Sequence, residues 1–177
     1  DASTSVSIED AQNAAVRPFD NREQFLADTG SALATEDYIS GGTRPDALSG
    51  SITFLTAPPS QLSFRNWSAV DFPDDINNVE LAIFDKEDLD IFSDEAVFAL
   101  GVTFNDEAGG TTPSIFVVSG LRNGILRFRF QFSTPPANDR NFIGVWADEL
   151  FDQLTIRETT TANENEYFGP VYSGSSP

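Results

Sequence analysis

The stretch Leu121-Arg122-Asn123-Gly124-Ile125-Leu126-Arg127-Phe128-Arg129-Phe130-Gln131-Phe132 decides the fold class. Leu126, Phe128, Phe130 and Phe132 share one parity, and Ile125, Arg127, Arg129 and Gln131 share the other. Side chains repeat this way only when they point to alternate sides of an extended backbone. A period of 3.6 would scatter the phenylalanines around a helix. Asn123-Gly124 supplies the turn, because both residues tolerate the positive φ of a type I′ hairpin. Ser114–Ser119 is therefore expected to pair with Ile125–Phe132.

The same grammar extends in both directions. Further strands are expected at Ser51–Thr56, Gln61–Trp67, Val79–Asp85, Ala96–Phe104, Asn141–Ala147, Gln153–Glu158 and Tyr167–Tyr172. Pro58-Pro59, Pro73, Gly109-Gly110 and Pro135-Pro136 separate them. Many short strands with regular turns imply an all-β fold, here a two-sheet antiparallel jelly-roll-like β-sandwich. One short N-terminal helix is expected near Asn21–Thr29. Asp20 is a candidate N-cap with Glu23 three residues on, Phe25 and Leu26 give an apolar face, and Gly30 is placed to close the end. The expected core is Phe54, Phe64, Leu81, Ile83, Phe98, Leu100, Phe116, Val118, Phe128, Phe130, Ile143, Val145, Leu154 and Ile156.

Composition narrows the chemistry. A chain of 177 residues with 40% apolar content and 16 phenylalanines can bury one domain-sized core. Cysteine and histidine are both absent, so disulfides, Ser-His dyads and Cys-His dyads are excluded. A Ser-Lys dyad could draw only on Lys86. Carboxylate pairs for glycoside hydrolysis cannot be singled out among 28 acids. The expectation is a protein that is not an enzyme. A net charge of −18 with only ten bases opposes binding to nucleic acid or anionic lipid. It suits a saline exterior or the binding of cations.

Acids concentrate between residues 71 and 95, and hard cations such as calcium want several oxygen ligands from flexible loops. The metal candidates are Asp71, Asp74, Asp75, Asp85, Glu87, Asp88 and Asp90, with Glu36 and Asp37 in second place. The run around Asp85 lacks the glycine and terminal glutamate of an EF-hand, and a solvated acidic loop is the simpler reading. Among the aromatics, Trp146 sits in the apolar strand Phe142-Ile143-Gly144-Val145-Trp146 and is expected to pack in the core. Trp67, at the end of the alternating Leu62 and Phe64 face, is the candidate for stacking on a glycan.

Two stretches carry a family resemblance. The first is residues 19–30, Phe-Asp-Asn-Arg-Glu-Gln-Phe-Leu-Ala-Asp-Thr-Gly, followed by Glu36-Asp37-Tyr38. The second is Asn141-Phe142-Ile143-Gly144-Val145-Trp146-Ala147-Asp148, then Phe151 and Leu154-Thr155-Ile156. Together they resemble the β-sandwich domains of exported bacterial PEP-CTERM and choice-of-anchor surface proteins, over roughly residues 19 to 172. The resemblance implies export and a structural place at the cell surface or in the extracellular matrix. The polar opening Asp1-Ala2-Ser3 is of the kind signal cleavage leaves behind, and no transmembrane segment is expected.

Residues 1–17 read as an N-terminal extension and 18–177 as one sandwich domain. The extension holds one alternating segment, with Val6 and Ile8 as the apolar pair. Added to a sandwich edge of a neighbouring copy, such a strand would give head-to-tail assembly into filaments. The alternative is a calcium-dependent carbohydrate-binding or adhesion module, whose partner is an extracellular polysaccharide. Structural calcium predicts a melting temperature that rises between EDTA and millimolar calcium, since metal bound only by the folded state stabilises it. An unchanged temperature in a thermal scan excludes such a site.

Overall fold

The computed structural model describes residues 15–36, 43–44, 46–56, 62–66, 79–83, 88–106, 114–133, 141–159 and 166–177. Its elements run in order β1 (Val16–Phe19), α1 (Arg22–Thr29), β2 (Ala32–Leu33), β3 (Thr43–Arg44), β4 (Asp46–Ser49), β5 (Ile52–Thr56) and β6 (Leu62–Asn66). There follow β7 (Val79–Ile83), β8 (Asp88–Asp106), β9 (Ile115–Arg122), β10 (Ile125–Ser133), β11 (Asn141–Glu158) and β12 (Glu166–Gly174). Every pairing between strands is antiparallel.

Two strands are far longer than the rest, and they build both layers. β8 spans 19 residues and β11 spans 18. They pair from Arg157↔Asp88 to Gln153↔Phe92, lose register, and pair again from Trp146↔Ala99 to Asn141↔Phe104. Each half belongs to a different layer. In the first sheet the order is β4, β5, the first half of β8, the second half of β11, β9 and β10. In the second it is β1, the first half of β11, the second half of β8, β12, β7, β6 and β3, with β2 also on β12. Strands that change sheet at a bend are the corner device of a folded-over sandwich.

The layers meet through aromatic rings. Phe104 of the second sheet lies 5.6 Å from Phe116 and 6.4 Å from Phe132 of the first, centroid to centroid, and 5.8 Å from Phe168. Phe151, in the bend of β11, packs edge-on at 5.1 Å against Phe128. One buried cluster joins these to Ile52, Phe54, Val102, Ile143 and Leu154. The protein is thus an all-β, two-layer antiparallel β-sandwich, with one short helix among the described residues.

The Asn-Gly hairpin forms as the sequence implies. Asn123 and Gly124 take φ of 52° and 78°, and β9 pairs with β10. Phe128, Phe130 and Phe132 are buried, whereas Arg129 is exposed. Three expectations need correction. The segments expected at Asn141–Ala147 and Gln153–Glu158 are one bent strand, because backbone pairing with β8 resumes beyond the irregularity. β8 likewise begins at Asp88 rather than Ala96, since cross-strand partners override the weak strand preference of its acidic start. Phe98 is only half-buried while Val97 joins the core. The bend shifts the alternation by one residue, so the phase read back from Leu100 fails there. The side chains of Phe64, Leu81 and Ile83 lie outside the described residues.

The helix is capped one residue later than expected. Asn21, not Asp20, is the N-cap, and its side chain accepts from the Gln24 N–H at 2.8 Å. The extended backbone at Asn21 places its oxygen over the third helical residue. Gly30 closes the other end at φ 63°, its N–H donating to the Leu26 carbonyl at 3.0 Å. The first-turn Glu23 carboxyl is held below its usual range by its own backbone N–H and by the Arg22 side chain.

α1 docks on the outer face of the second sheet chiefly through Phe25, with Leu26 packed beside it and Thr29 buried. Phe25 is fully buried, with Phe19 at 5.3 Å and Phe142 at 5.2 Å. Beneath these rings Gly144 lies opposite Gly101. A Cβ on Gly101 would stand 2.4 Å from the Phe142 ring, and one on Gly144 would stand 2.9 Å from the Phe25 ring. The paired glycines thus open a gap in the side-chain layer that the two phenylalanines fill. Phe25→Ala should cost roughly 3–5 kcal/mol and Asn21→Ala about 1 kcal/mol, read as shifts in the urea midpoint. A Phe25→Ala cost below about 1 kcal/mol would show that the helix is not anchored by its ring.

Candidate functional site

The alternation that buries Ile143 and Val145 turns Phe142, Gly144 and Trp146 to the opposite side of β11. That side is the outer face of the second sheet, where Trp146 packs against the Phe25 cluster and stays half-buried. Val145 fills the core as expected, whereas Trp146, expected to pack there, does not. β1 aligns Arg17 with Trp146 and Phe19 with Gly144. α1 then brings Asp28 and Thr29 to the same place. Arg17, Phe19, Asp28, Thr29, Trp146 and Pro177 line a cleft of about 270 Å³.

The polar groups of the cleft are arranged around its aromatic wall. The Arg17 guanidinium lies 4.6 Å from the centroid of the Phe19 ring and binds Asp28 Oδ2 at 2.6 Å. The Arg17 side chain remains 57% exposed and that of Asp28 27% exposed. Such an open ion pair adds little stability, but it fixes a fork of donors and a carboxylate acceptor beside the indole. The Trp146 Nε1–H donates to the Ser176 carbonyl at 3.3 Å, which sets the ring's orientation. Thr29 Oγ1 donates to the Phe25 carbonyl at 2.7 Å and lies 2.6 Å from Ser31 Oγ, so its hydroxyl is engaged structurally. Tyr172, beneath the helix, has its phenol pKa pushed up by burial. Among the lining residues no nucleophile stands beside a base. What the cleft offers is a flat apolar surface rimmed by fixed donors and acceptors.

The acidic candidates are placed differently. Asp71, Asp74, Asp75, Asp85, Glu87 and Asp37 lie outside the described residues. Asp88 and Asp90 lie on β8 and share Arg157 of β11, at 3.9 Å and 2.6 Å respectively. Arg157 stands opposite Asp88 in the ladder, so these two carboxylates face a guanidinium across the strands. Glu36 is exposed. Among the described residues, no group of three or more acidic side chains is disposed to hold a metal ion. Trp67, Val6 and Ile8 also lie outside the described residues. β1 itself begins at Val16, and the Ala15 N–H donates to Asp148 Oδ1 at 2.8 Å. The boundary expected at residue 17 therefore falls inside a strand of the sandwich.

Nothing in the sequence marks Arg17, Asp28 and Trp146 as a group. The parity of Trp146 against Val145 was the available signal. Their meeting was not, because it needs β1 to cross the chain to β11.

No family model matches the chain, and no curated protein matches it in sequence. Among solved structures it is similar to a xylan-binding domain of carbohydrate-binding module family 22, at 11% identity and a TM-score of 0.42, over 80% of this chain and 96% of that one. It is also similar to a family 29 carbohydrate-binding module complexed with mannohexaose, at 11% identity and a TM-score of 0.38, over 82% and 94%. Both likenesses are distant, and neither transfers a ligand or a site to this chain.

Proposed function

We propose that this protein is a non-catalytic, extracellular carbohydrate-binding β-sandwich whose ligand stacks on Trp146 in the cleft between β1, α1 and β11. The observation that carries the reading is the cleft itself: a half-buried indole with the Arg17–Asp28 pair beside it. A sugar ring has an apolar face and a hydroxyl edge. The indole suits the first, and a guanidinium with a carboxylate suits the second, as donor and acceptor held in place before the ligand arrives. Binding sites of this kind are concave, with an apolar wall and a few fixed polar groups.

The absence of histidine and cysteine in the whole chain supports binding without turnover. A cell-surface or matrix setting agrees with the acidic composition and with the resemblance to exported surface sandwiches. Head-to-tail assembly through Val6 and Ile8 has no observation among the described residues behind it.

The test is a screen of neutral oligosaccharides by glycan array, followed by titration calorimetry on the best ligand. Trp146→Ala should weaken binding roughly tenfold or more, with the far-UV spectrum unchanged. Asp28→Asn should weaken it less, because the amide keeps an acceptor. Binding unaltered in Trp146→Ala, or no neutral glycan retained at millimolar concentration, would remove this reading.

A further inference from the structure

The segment that follows β12 forms part of the cleft wall. β12 ends at Gly174, which lies opposite Ala99 of β8. Ala99 in turn lies opposite Trp146, and Trp146 opposite Arg17. These residues form one row across the second sheet. Two strand spacings, roughly 10 Å, separate Gly174 from Trp146, and three extended residues span about that distance. Residues 175–177 cover it. The Ser176 carbonyl accepts from the Trp146 Nε1–H at 3.3 Å, and Pro177 lines the cleft. The segment therefore leaves the direction of β12 and runs across the row toward β11.

The root of this segment is fixed and its tip is not. Gly174 is buried in the ladder, and a Cβ there would stand 2.6 Å from Ser31 Oγ and 3.3 Å from the Thr29 carbonyl oxygen. The strand thus meets the end of α1 with no room between them. Beyond it Ser175, Ser176 and Pro177 are all exposed. Among the described residues the indole N–H is the only side-chain donor that reaches them, at a length beyond the usual range of such bonds. An immobile root, little burial and one long bond make a segment that opens at small cost. The N–H is also the only polar group of the indole. A sugar hydroxyl that takes it displaces the Ser176 carbonyl, and Pro177 takes up one side of the cleft in which the sugar ring would stack.

We propose that residues 175–177 are a strap that closes the Trp146 cleft in the unliganded protein and swings out, beyond Gly174, when a glycan binds. Resting on the reading of the cleft as a carbohydrate site, the strap adds regulation to it: the chain carries its own competitor for the indole. The observed affinity is then that of the open cleft, reduced by the fraction of molecules that are open.

The test compares the full chain with a variant lacking residues 175–177 and with Pro177→Gly, which keeps the Ser176 carbonyl. Acrylamide, a neutral quencher, reads the strap without any ligand, and in a Trp67→Phe background Trp146 is the only indole. The deletion should shift Trp146 emission to the red and raise its Stern–Volmer constant, and Pro177→Gly should do the same to a smaller extent. Cellohexaose, xylohexaose and mannohexaose, titrated calorimetrically, read the competition. Any of them that the full chain binds should bind the shortened chain roughly two- to tenfold more tightly, the worth of one hydrogen bond. A hexasaccharide bound only by the shortened chain supports the strap and the cleft together. Emission and quenching unchanged by the deletion overturn the strap and leave the cleft reading intact. Equal binding by the two forms overturns the competition, and weaker binding by the shortened chain makes residues 175–177 part of the site instead. Raised quenching with no hexasaccharide bound by either form removes the cleft reading, and the gating role with it.

Discussion

Everything in this fold depends on the antiparallel pairing of β8 with β11. These two strands stay together through both sheets, lose register over the corner, and regain it on the far side. Their first pairing region gives the first sheet its centre, with β5 on one flank and β9 on the other. Their second gives the second sheet its centre, with β12 on one flank and β1 on the other. Because the same backbones lie in both layers, the aromatic contacts between sheets close a structure already joined by hydrogen bonds. Phe104 and Phe151 sit where that closure happens.

The corner also decides where the surfaces with chemistry lie. Beyond it, β11 turns Trp146 outward beside β1, while the paired glycines Gly101 and Gly144 let Phe25 bring α1 down onto the same face. A side chain at either glycine would lift the helix and carry Asp28 away from Arg17. The residue that looks least functional in this region, a glycine in the middle of a strand, therefore sets the width of the cleft. Among the described residues no helix lies on the other layer, and Arg129 of β10 is exposed there.

Much of the fold was legible in the sequence because it is written in alternation and turn chemistry. Phe128, Phe130 and Phe132 with Asn123-Gly124 specify a hairpin from local information alone, and the described strands fall close to where alternation puts them. What failed was non-local. Nothing in residues 147–152 announces that two strands are one, because a bend that keeps its partner looks in sequence like a turn. The shift at Val97 and Phe98 has the same cause. The helix was legible to within one residue, the difference being that Asn21 rather than Asp20 adopts the extended backbone of a cap. The cleft was not legible, since it joins residues 17, 28 and 146 through strand pairing across the chain. The acidic run drew attention by its density, yet its two metal candidates that the structure describes, Asp88 and Asp90, are ion-paired across the strands with Arg157.

The contact between Ala15 and Asp148 spans 133 positions of chain, and β1 reaches its partner strand only across that interval. Closing so long a loop has an entropic cost that must be met before the strand's own bonds form, which makes a topology of this kind slow to complete. A ribosome delivers Val16 long before Val145 exists. Until residues 144–147 have been made, Arg17 and Phe19 lack their strand partners. The cleft is therefore among the last features to be assembled, and a chain that shows it has finished folding.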